Sequence, residues 1–304
     1  MPLYLTEADV ESLFEPRDAV PIVEESFRRL AAGEVVNQPR LRLLGDARAL
    51  ALMGAVDSGI GVAGIKTYVS AFVVVLFGAA SGECLGVIEA NRLGQLRTGA
   101  ASGVAAKHLA RAGARRLGVI GCGFQAETQV HCIRAAVPTL EEVVVYCRTE
   151  SALADFCARV GAEPAESHRD AADADVVVTV TWSKDPVLRG DWLRPGALVC
   201  AVGANRPTHR ELDDAVLERA TFVCCDSVDN AKLESGDLIE PVEHGVLDWL
   251  EVHELQEVVA GEVRGRQSDE DVVVFKSNGL AAWDVAIGAA ALERARERGV
   301  GTEV

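Results

Sequence analysis

Residues 119–126 of the chain read Val119-Ile120-Gly121-Cys122-Gly123-Phe124-Gln125-Ala126. It fits the pattern G-x-G-x-x-A, in which Gly121 permits a tight turn and Gly123 lets phosphate groups approach the backbone. Phe124 and Gln125 complete this candidate cofactor-binding loop, and the small Ala126 allows helix and strand to pack closely. The free N–H groups and the dipole at the start of the helix favour an anion. The pattern therefore predicts a site for the pyrophosphate of a dinucleotide.

The residues on either side of the loop support this interpretation. A short apolar run typical of a buried strand, 116–120, precedes it, and a helical stretch, 126–137, follows it and ends before Pro138. Residues 143–146 are then predicted to form the next strand, which completes one βαβ unit. Strands and helices continue to alternate beyond it, which indicates a parallel sheet, and one of these helices is predicted over 210–218. An ordinary turn between strand and helix, without a ligand, is the alternative.

Composition narrows the class of protein. The chain has 304 residues, enough for two domains, and 49% of them are hydrophobic and 25% charged, which is typical of globular proteins. The net charge of −16 argues against nucleic acid as a partner, because such proteins carry a basic face. No apolar run approaches the roughly 20 residues that span a membrane. The first residues lack the basic start and apolar core of an export signal, so we expect a cytoplasmic protein.

The cysteines and histidines indicate a cytoplasmic protein without a metal site. The eight cysteines include no C-x-x-C pair, and we expect all of them to be reduced, as is usual in the cytoplasm. The six histidines show no spacing typical of metal ligands, so we expect no metal site.

The chain before and after the alternating region has a different pattern. A helix is predicted over 16–32, strands over parts of 41–89, and a helix rich in small residues over 97–109. A last helix, 280–298, lies beyond the alternating elements. We expect this C-terminal segment to return to the first domain.

The end of the second strand of the βαβ unit bears on the choice of cofactor. An acid there would accept hydrogen bonds from the ribose hydroxyls of NAD, but the chain reads Tyr146-Cys147-Arg148-Thr149. Arg148 and the hydroxyl of Thr149 suit a 2′-phosphate, because a guanidinium binds phosphate through two hydrogen bonds. We therefore favour NADP(H). If Arg148 is only a solvated residue beyond the strand, NAD(H) is the alternative.

Several linked motifs resemble the ornithine cyclodeaminase/mu-crystallin family. They are the loop 121–126 and the stretches 97–101, 175–181, 195–197, 201–207, 210–214, 234–237 and 274–279. The resemblance implies an α/β fold in which a Rossmann-type dinucleotide-binding domain is inserted into a discontinuous α+β domain for substrate binding and dimerisation. We place the dinucleotide domain at 115–275 and the substrate domain at 1–114 and 276–304. A homodimer is expected.

The resemblance also implies chemistry at the α-carbon of small imino or amino acids, and it assigns the catalytic cations to Arg40, Lys66 and Arg97. A guanidinium is well suited to hold an α-carboxylate. A positioned lysine can protonate an imine nitrogen while hydride reaches the α-carbon. Thr98 follows Arg97 and is a further candidate for substrate binding, although it can equally be structural. Without the resemblance, each cation would more often be a surface residue.

Further residues are assigned to the cofactor. Asp226 closes a predicted strand at the sheet edge where ligands bind, and it either contacts a ligand or caps the next turn. Ser277, by resemblance, borders the nicotinamide. Thr181 and Gly203 are the remaining candidates for cofactor binding.

Asn205 is a departure from part of the family. The cyclodeaminases carry an aspartate at this position, and an amide cannot act as a base. Asn205, a candidate for substrate contact, therefore favours a reductase or dehydrogenase. The segment after Lys66 is also shorter than in many relatives, which leaves the substrate open.

We predict an NAD(P)H-dependent reductase of a small cyclic 2-imino acid, pyrroline-2-carboxylate or piperideine-2-carboxylate, giving L-proline or L-pipecolate. The alternatives, in order, are an alanine or amino-acid dehydrogenase, an ornithine cyclodeaminase and a non-catalytic NADP-binding protein.

Overall fold

Residues 1–46 and 48–304 are described by a computed structural model, and they form one β-sheet of seven strands and another of eight. The chain divides into two units. The first comprises Met1–Arg97 and Gly279–Val304, and the second comprises Thr98–Asn278. The second unit is therefore an insertion in the first, and the predicted fold class is confirmed.

The first unit starts with a strand and two helices and continues as an antiparallel meander. Its elements up to the division are β1 (Leu3–Leu5), α1 (Glu7–Leu13), α2 (Pro16–Ala31), β2 (Val35–Leu44), β3 (Ala49–Asp57), β4 (Val62–Tyr68), β5 (Phe72–Gly78), β6 (Cys84–Glu89) and α3 (Asn91–Leu109). The strands are ordered β1-β6-β5-β4-β3-β2, and β1 runs parallel to β6. Helix α3 continues past Arg97 into the second unit.

The second unit is a parallel sheet with connecting helices. Its elements are β7 (Arg116–Ile120), α4 (Ala126–Ala136), β8 (Glu142–Tyr146), α5 (Glu150–Val160), β9 (Glu163–Pro164), α6 (His168–Ala172), β10 (Val176–Thr179), β11 (Leu198–Ala201), α7 (Asp214–Arg219), β12 (Ala220–Cys225), α8 (Val228–Glu234), α9 (Gly236–Glu243), β13 (Val252–Glu254), α10 (Leu255–Val259) and β14 (Val272–Lys276). Short 3₁₀ turns lie at Gly190–Trp192 and Trp249–Glu251.

The strand order in this sheet identifies where a ligand can bind. The order is β9-β8-β7-β10-β11-β14-β12-β13. Its first five strands follow the order 3-2-1-4-5 of dinucleotide-binding folds, and the last strand of the unit, β14, takes the sixth place. The chain reverses direction across the sheet between the neighbours β7 and β10. Ligands bind outside the carboxyl ends of the strands at such a switch point.

The C-terminal segment completes the first unit. Helix α11 (Ala281–Arg298) packs against β3, β4 and β5, and β15 (Thr302–Glu303) pairs antiparallel with β1. Trp283 on α11 contacts Phe27 on α2, with ring centroids 5.2 Å apart, and both side chains are fully buried. On β2, by contrast, several apolar side chains are exposed, among them Leu41 and Leu43.

Two predicted helices differ from the structure by more than one residue at an end. Helix α3 starts at Asn91 rather than at 97. The helix expected over 210–218 is the shorter α7, which begins after Asp213, whose side chain accepts a hydrogen bond from the N–H of Val216. Arg210 and Glu211 lie outside the helix. The N–H of Glu211 donates instead to Oδ1 of Asp237, and the side chain of Arg210 donates to the carbonyl oxygen of Leu212. In the described part of the chain, no helix combines the length and the apolar character needed to cross a bilayer.

Candidate active site

Lys66 lies on β4, and its side chain is almost entirely buried. Its Nζ donates a hydrogen bond of 2.8 Å to Oδ1 of Asp284 on α11, and the ring of Phe72 lies 4.9 Å from the ammonium. Burial lowers the pKa of Lys66 to about 8, and the charges of Arg97 and Arg40 also lower it, whereas Asp284 raises it. A lysine with such a pKa can give up and regain a proton near neutral pH.

The two candidate arginines are buried as well. Arg97 on α3 places Nε 3.4 Å from Oδ1 of Asp284, and its guanidinium lies against the backbone of Gly279. Gly279 has φ +87°, and a Cβ at this position would collide with Nη1 of Arg97. Only glycine suits both the conformation and this close approach. The backbone at residue 279 therefore fixes the position of the guanidinium.

Arg40 reaches the same group of side chains from β2. The pairing of β2 with β3 shifts between Gln38 and Leu41, so Arg40 belongs to a bulge, a device that redirects a side chain. Its Nε donates to Sδ of Met53 at 3.3 Å, and Met53 is the residue directly opposite Lys66 on β3. The structure thus brings together Arg40, Lys66 and Arg97, none of which is a solvated surface residue.

Asp284 was missed by the sequence reasoning. Its Oδ2 is buried and has no hydrogen-bond partner in the described residues, which leaves it available to a ligand. One carboxylate beside three cations leaves the cluster of Arg40, Lys66, Arg97 and Asp284 positively charged. That charge suits a substrate with a carboxylate. We call these four residues the cation cluster.

A cavity of about 540 Å³ lies at the carboxyl ends of β7, β8 and β10 in the second unit. Five of the predicted cofactor residues line it: Gly121, Gly123, Arg148, Thr149 and Thr181. The side chains of Trp182 and His168, which sequence reasoning did not assign to the cofactor, line it too. The cavity therefore lies at the switch point between β7 and β10.

The glycines of the loop fit a dinucleotide. Gly121 has φ +111°, and a Cβ there would stand 2.6 Å from the carbonyl oxygen of Val180. At Gly123 the position of a Cβ is open, with no described atom within 4 Å. This open space is where phosphate groups can approach the backbone. Ala126 is fully buried at the first position of α4 and allows the helix to pack closely.

Other predicted cofactor residues lie beside the cavity lining rather than in it. Phe124 is 52% exposed, and Gln125 is the N-cap of α4. Arg148, which does line the cavity, is exposed.

Thr181 and Gly203 are held by a buried carboxylate. Oε1 of Glu211 accepts hydrogen bonds from the N–H and hydroxyl of Thr181 at 2.6 and 2.7 Å. Its Oε2 accepts from the N–H groups of Gly203 and Ala204 at 2.7 and 3.2 Å. Glu211 therefore ties the loop after β10 to the loop after β11. Burial, and then the charge of Asp237, raise the pKa of Glu211, and the charge of Lys276 lowers it.

Lys276 and Asp237 complete this network. Lys276 Nζ lies 2.8 Å from Oδ2 of Asp237 and donates to the carbonyl oxygen of Ala204 at 2.6 Å. Oδ1 of Asp237 accepts from the N–H groups of Glu211 and Leu212. Sequence reasoning missed these roles, although a lysine at the end of the otherwise apolar strand β14 was a signal.

Asp226 and Ser277 contact each other. Oδ2 of Asp226 accepts from the Ser277 hydroxyl at 3.0 Å and from the N–H of Asn278 at 2.7 Å. Its Oδ1 accepts from the N–H of Ser227, so Asp226 supports two loops at the sheet edge. Asn205 is partly exposed in the loop after β11, and Thr98 is buried on α3.

The expectation that all cysteines are reduced is wrong for one pair. Cys122 and Cys147 are joined by a disulfide, with their Cα atoms 5.8 Å apart. The parallel pairing of Ile120 with Tyr146 brings these two residues together just beyond the strand ends. Such a pair, distant in the chain, has no local sequence signal. Among the residues with described positions, no group of three His, Cys, Asp or Glu side chains is arranged to hold a metal ion.

Comparison with known proteins gives consistent matches. The model of the ornithine cyclodeaminase/mu-crystallin family matches residues 2–299. An alanine dehydrogenase from Archaeoglobus fulgidus is 36% identical over 99% of this chain and 98% of its own length. A Δ¹-pyrroline-2-carboxylate reductase from Bacillus cereus is 38% identical over 76% of this chain and 73% of its own.

Solved structures agree. The Δ¹-pyrroline-2-carboxylate reductase of Thermococcus litoralis, in complex with NADH and L-proline, superposes with a TM-score of 0.94 at 29% identity, covering 99% of this chain and 100% of that one. An archaeal alanine dehydrogenase dimer with bound NAD gives 0.93 at 34% identity, covering 100% and 98%. As the motifs predicted, this chain belongs to the ornithine cyclodeaminase/mu-crystallin family.

Proposed function

We propose that this protein is an NADP(H)-dependent reductase of a small cyclic 2-imino acid, such as pyrroline-2-carboxylate or piperideine-2-carboxylate. It is an oxidoreductase of imino or amino acids, as predicted, since its relatives are pyrroline-2-carboxylate reductases and alanine dehydrogenases. The single observation that carries the substrate class is the buried contact between Lys66 and Asp284 beside two buried arginines.

The cation cluster supports this chemistry step by step. Arg97 and Arg40 would hold the α-carboxylate, because guanidinium groups form paired hydrogen bonds with carboxylates. Lys66, protonated below pH 8, would donate its proton to the imine nitrogen. Asp284 would keep the ammonium oriented and raise its affinity for the proton. A nicotinamide, when bound, supplies the hydride for the α-carbon.

The surroundings of Lys66 support an apolar substrate ring. Phe72 and Met53 lie beside it, and Met53 is 2% exposed. An apolar wall excludes water, which strengthens the charge interactions of the arginines and the lysine. A small ring without a distal charge suits these neighbours.

The proposal for NADP(H) rests on Arg148 and Thr149, which line the cavity directly after β8. A guanidinium and a hydroxyl at this place suit a 2′-phosphate. The two solved relatives contain NADH and NAD, so NAD(H) remains the alternative cofactor.

Asn205 supports a reductase over a cyclodeaminase. Its amide cannot take a proton from a substrate amine. Oxidation of alanine or another amino acid uses the same α-carbon and the same cations, so it is the second candidate function. The Archaeoglobus fulgidus relative favours it.

We further propose a cytoplasmic homodimer with domains at 115–275 and at 1–114 with 276–304. One archaeal relative was solved as a dimer. The exposed leucines of β2, Leu41 and Leu43, would suit contact with a second copy.

The test is a substrate panel with purified protein. NADPH or NADH is mixed with pyrroline-2-carboxylate, with piperideine-2-carboxylate, or with pyruvate and ammonia, and the loss of reduced nicotinamide absorbance is followed. Faster turnover with a cyclic imine supports the proposal. Faster turnover with pyruvate and ammonia would make the protein an alanine dehydrogenase. Tight nucleotide binding without turnover of any of these substrates would indicate a non-catalytic nucleotide-binding protein.

A further inference from the structure

Cys122 and Cys147 occupy two positions that matter for the dinucleotide. Cys122 is the middle residue of the Gly121-Cys122-Gly123 turn, and Cys147 is the first residue after β8. Dinucleotide-binding folds use the end of this second strand to contact the ribose hydroxyls. Both cysteines line the cavity, and both are partly exposed.

The backbone brings the two cysteines within bonding reach. Gly121 N–H donates to the carbonyl oxygen of Tyr146 at 2.8 Å, which holds the turn against the end of β8. The Cα atoms of Cys122 and Cys147 are 5.8 Å apart, inside the roughly 4.4–6.8 Å range of disulfides. A dithiol held in this way can close into a disulfide without a large backbone movement. Most of the other cysteines are buried, Cys84 excepted.

We propose that Cys122 and Cys147 form a reversible oxidation site, at which a peroxide closes the disulfide and thereby weakens binding of the dinucleotide. This inference rests on the dinucleotide site of the proposed function. The disulfide spans the sheet edge between the glycine-rich turn and the second strand. A bound dinucleotide needs that edge for its adenosine ribose.

The oxidation is balanced with hydrogen peroxide as oxidant. One thiol attacks the peroxide, the O–O bond breaks, and a sulfenic acid and water are formed. The second sulfur attacks the sulfenic sulfur, the S–S bond forms, and the oxygen leaves as a second water. The two sulfurs lose two electrons to the peroxide in total. A small dithiol restores both thiols by exchange and becomes a disulfide itself.

The experiment compares nucleotide affinity in the two redox states. The protein is treated with hydrogen peroxide or with dithiothreitol, excess reagent is removed, and free thiols are counted in denaturant. We expect eight thiols after reduction and six after oxidation. The dissociation constant of NADPH, followed by its fluorescence, should be at least about tenfold higher in the oxidised protein. Dithiothreitol should restore the lower value.

Three variants locate the effect. Cys122→Ser and Cys147→Ser should each bind NADPH equally before and after peroxide treatment. Cys84→Ser is the matched control, because Cys84 is exposed on β6 of the other unit, and it should keep the tenfold difference.

Three results would overturn the proposal: eight thiols after peroxide, six thiols with an unchanged dissociation constant, or loss of the difference in Cys84→Ser. Binding is measured without substrate, so failure here leaves turnover of cyclic imines by the reduced protein as a separate result.

Discussion

Lys66 and Asp284 are 218 positions apart in the chain, and their side chains meet at 2.8 Å in the interior of the first unit. The lysine comes from β4 and the aspartate from α11, and both are almost fully buried. A buried ammonium is unfavourable unless it is paired. The carboxylate therefore keeps a charged lysine in a place where burial alone would favour its neutral form.

Replacing Lys66 should remove the proton donor. We expect Lys66→Ala to lower kcat/KM for imine reduction by about 10²-fold or more, the usual size of a general-acid effect. Lys232→Ala, at an exposed position, is the control and should be unaffected. Steady-state kinetics with a cyclic imine measures both. An unchanged value for Lys66→Ala would exclude the lysine from the mechanism.

The pH profile should report the same group. Lys66 holds its proton below about pH 8 and loses it above, so imine reduction should fall as pH rises through this value. In the reverse direction, oxidation of the amino acid needs the neutral amine of Lys66 as proton acceptor. The rate of oxidation should therefore rise over the same pH range. The profile of kcat/KM in both directions tests this. A reduction rate that stays constant through pH 8 would contradict the assignment.

Asp284→Asn should move that profile. The charge and hydrogen bond of Asp284 raise the pKa of Lys66, so their loss should lower it. The alkaline fall in reductase activity should then begin at lower pH. The variant should also unfold at a lower temperature, because Lys66 is left buried without its carboxylate. A lower maximal rate with an unmoved profile would show that Asp284 has only a structural role.

Arg148→Ala should change cofactor choice. We expect KM for NADPH to rise about tenfold, with little change for NADH, since the guanidinium would bind the 2′-phosphate. Arg159→Ala on α5, an exposed arginine paired with Glu127, is the matched control. The prediction is tested by measuring KM for NADPH and for NADH in both variants. An equal change in KM for NADPH and NADH in Arg148→Ala would mean that Arg148 does not bind the 2′-phosphate.

Two glycine substitutions should separate binding from folding. Gly123→Ala adds a methyl group into open space, so thermal stability should hardly change while the dissociation constant for the dinucleotide rises. Gly118→Ala on β7 instead drives a methyl group into the backbone oxygen of Ala171. Such overpacking costs about 1–3 kcal/mol or more and should lower the melting temperature. Calorimetry and nucleotide titration distinguish the two variants, and equal losses of stability would contradict the difference.

The fold was largely predictable from local patterns. One such pattern is the apolar run of β7 followed by the glycine loop and a helix. The structure has this strand and this helix at the expected residues. Arg40, Lys66 and Arg97 were different, because nothing in their immediate neighbours shows that they are buried. Their selection depended on the resemblance to a family.

The rest of the site depends on contacts between distant residues. Asp284 lies within an apolar helix, and its partner can be identified only when α11 is packed on the sheet. Glu211 was predicted to be helical, but its carboxylate is used to hold two loops together. Cys122 and Cys147 are neighbours only because β7 and β8 pair.

The return of the chain end to the first unit has a consequence for synthesis. Strands β2 to β6 leave the ribosome long before α11, which covers one face of their sheet and carries Asp284. Until then the apolar side chains of that face have no permanent cover, and Lys66 has no counterion. A nascent chain halted before residue 281 would therefore be inactive and prone to associate with chaperones, however well its dinucleotide unit had already folded.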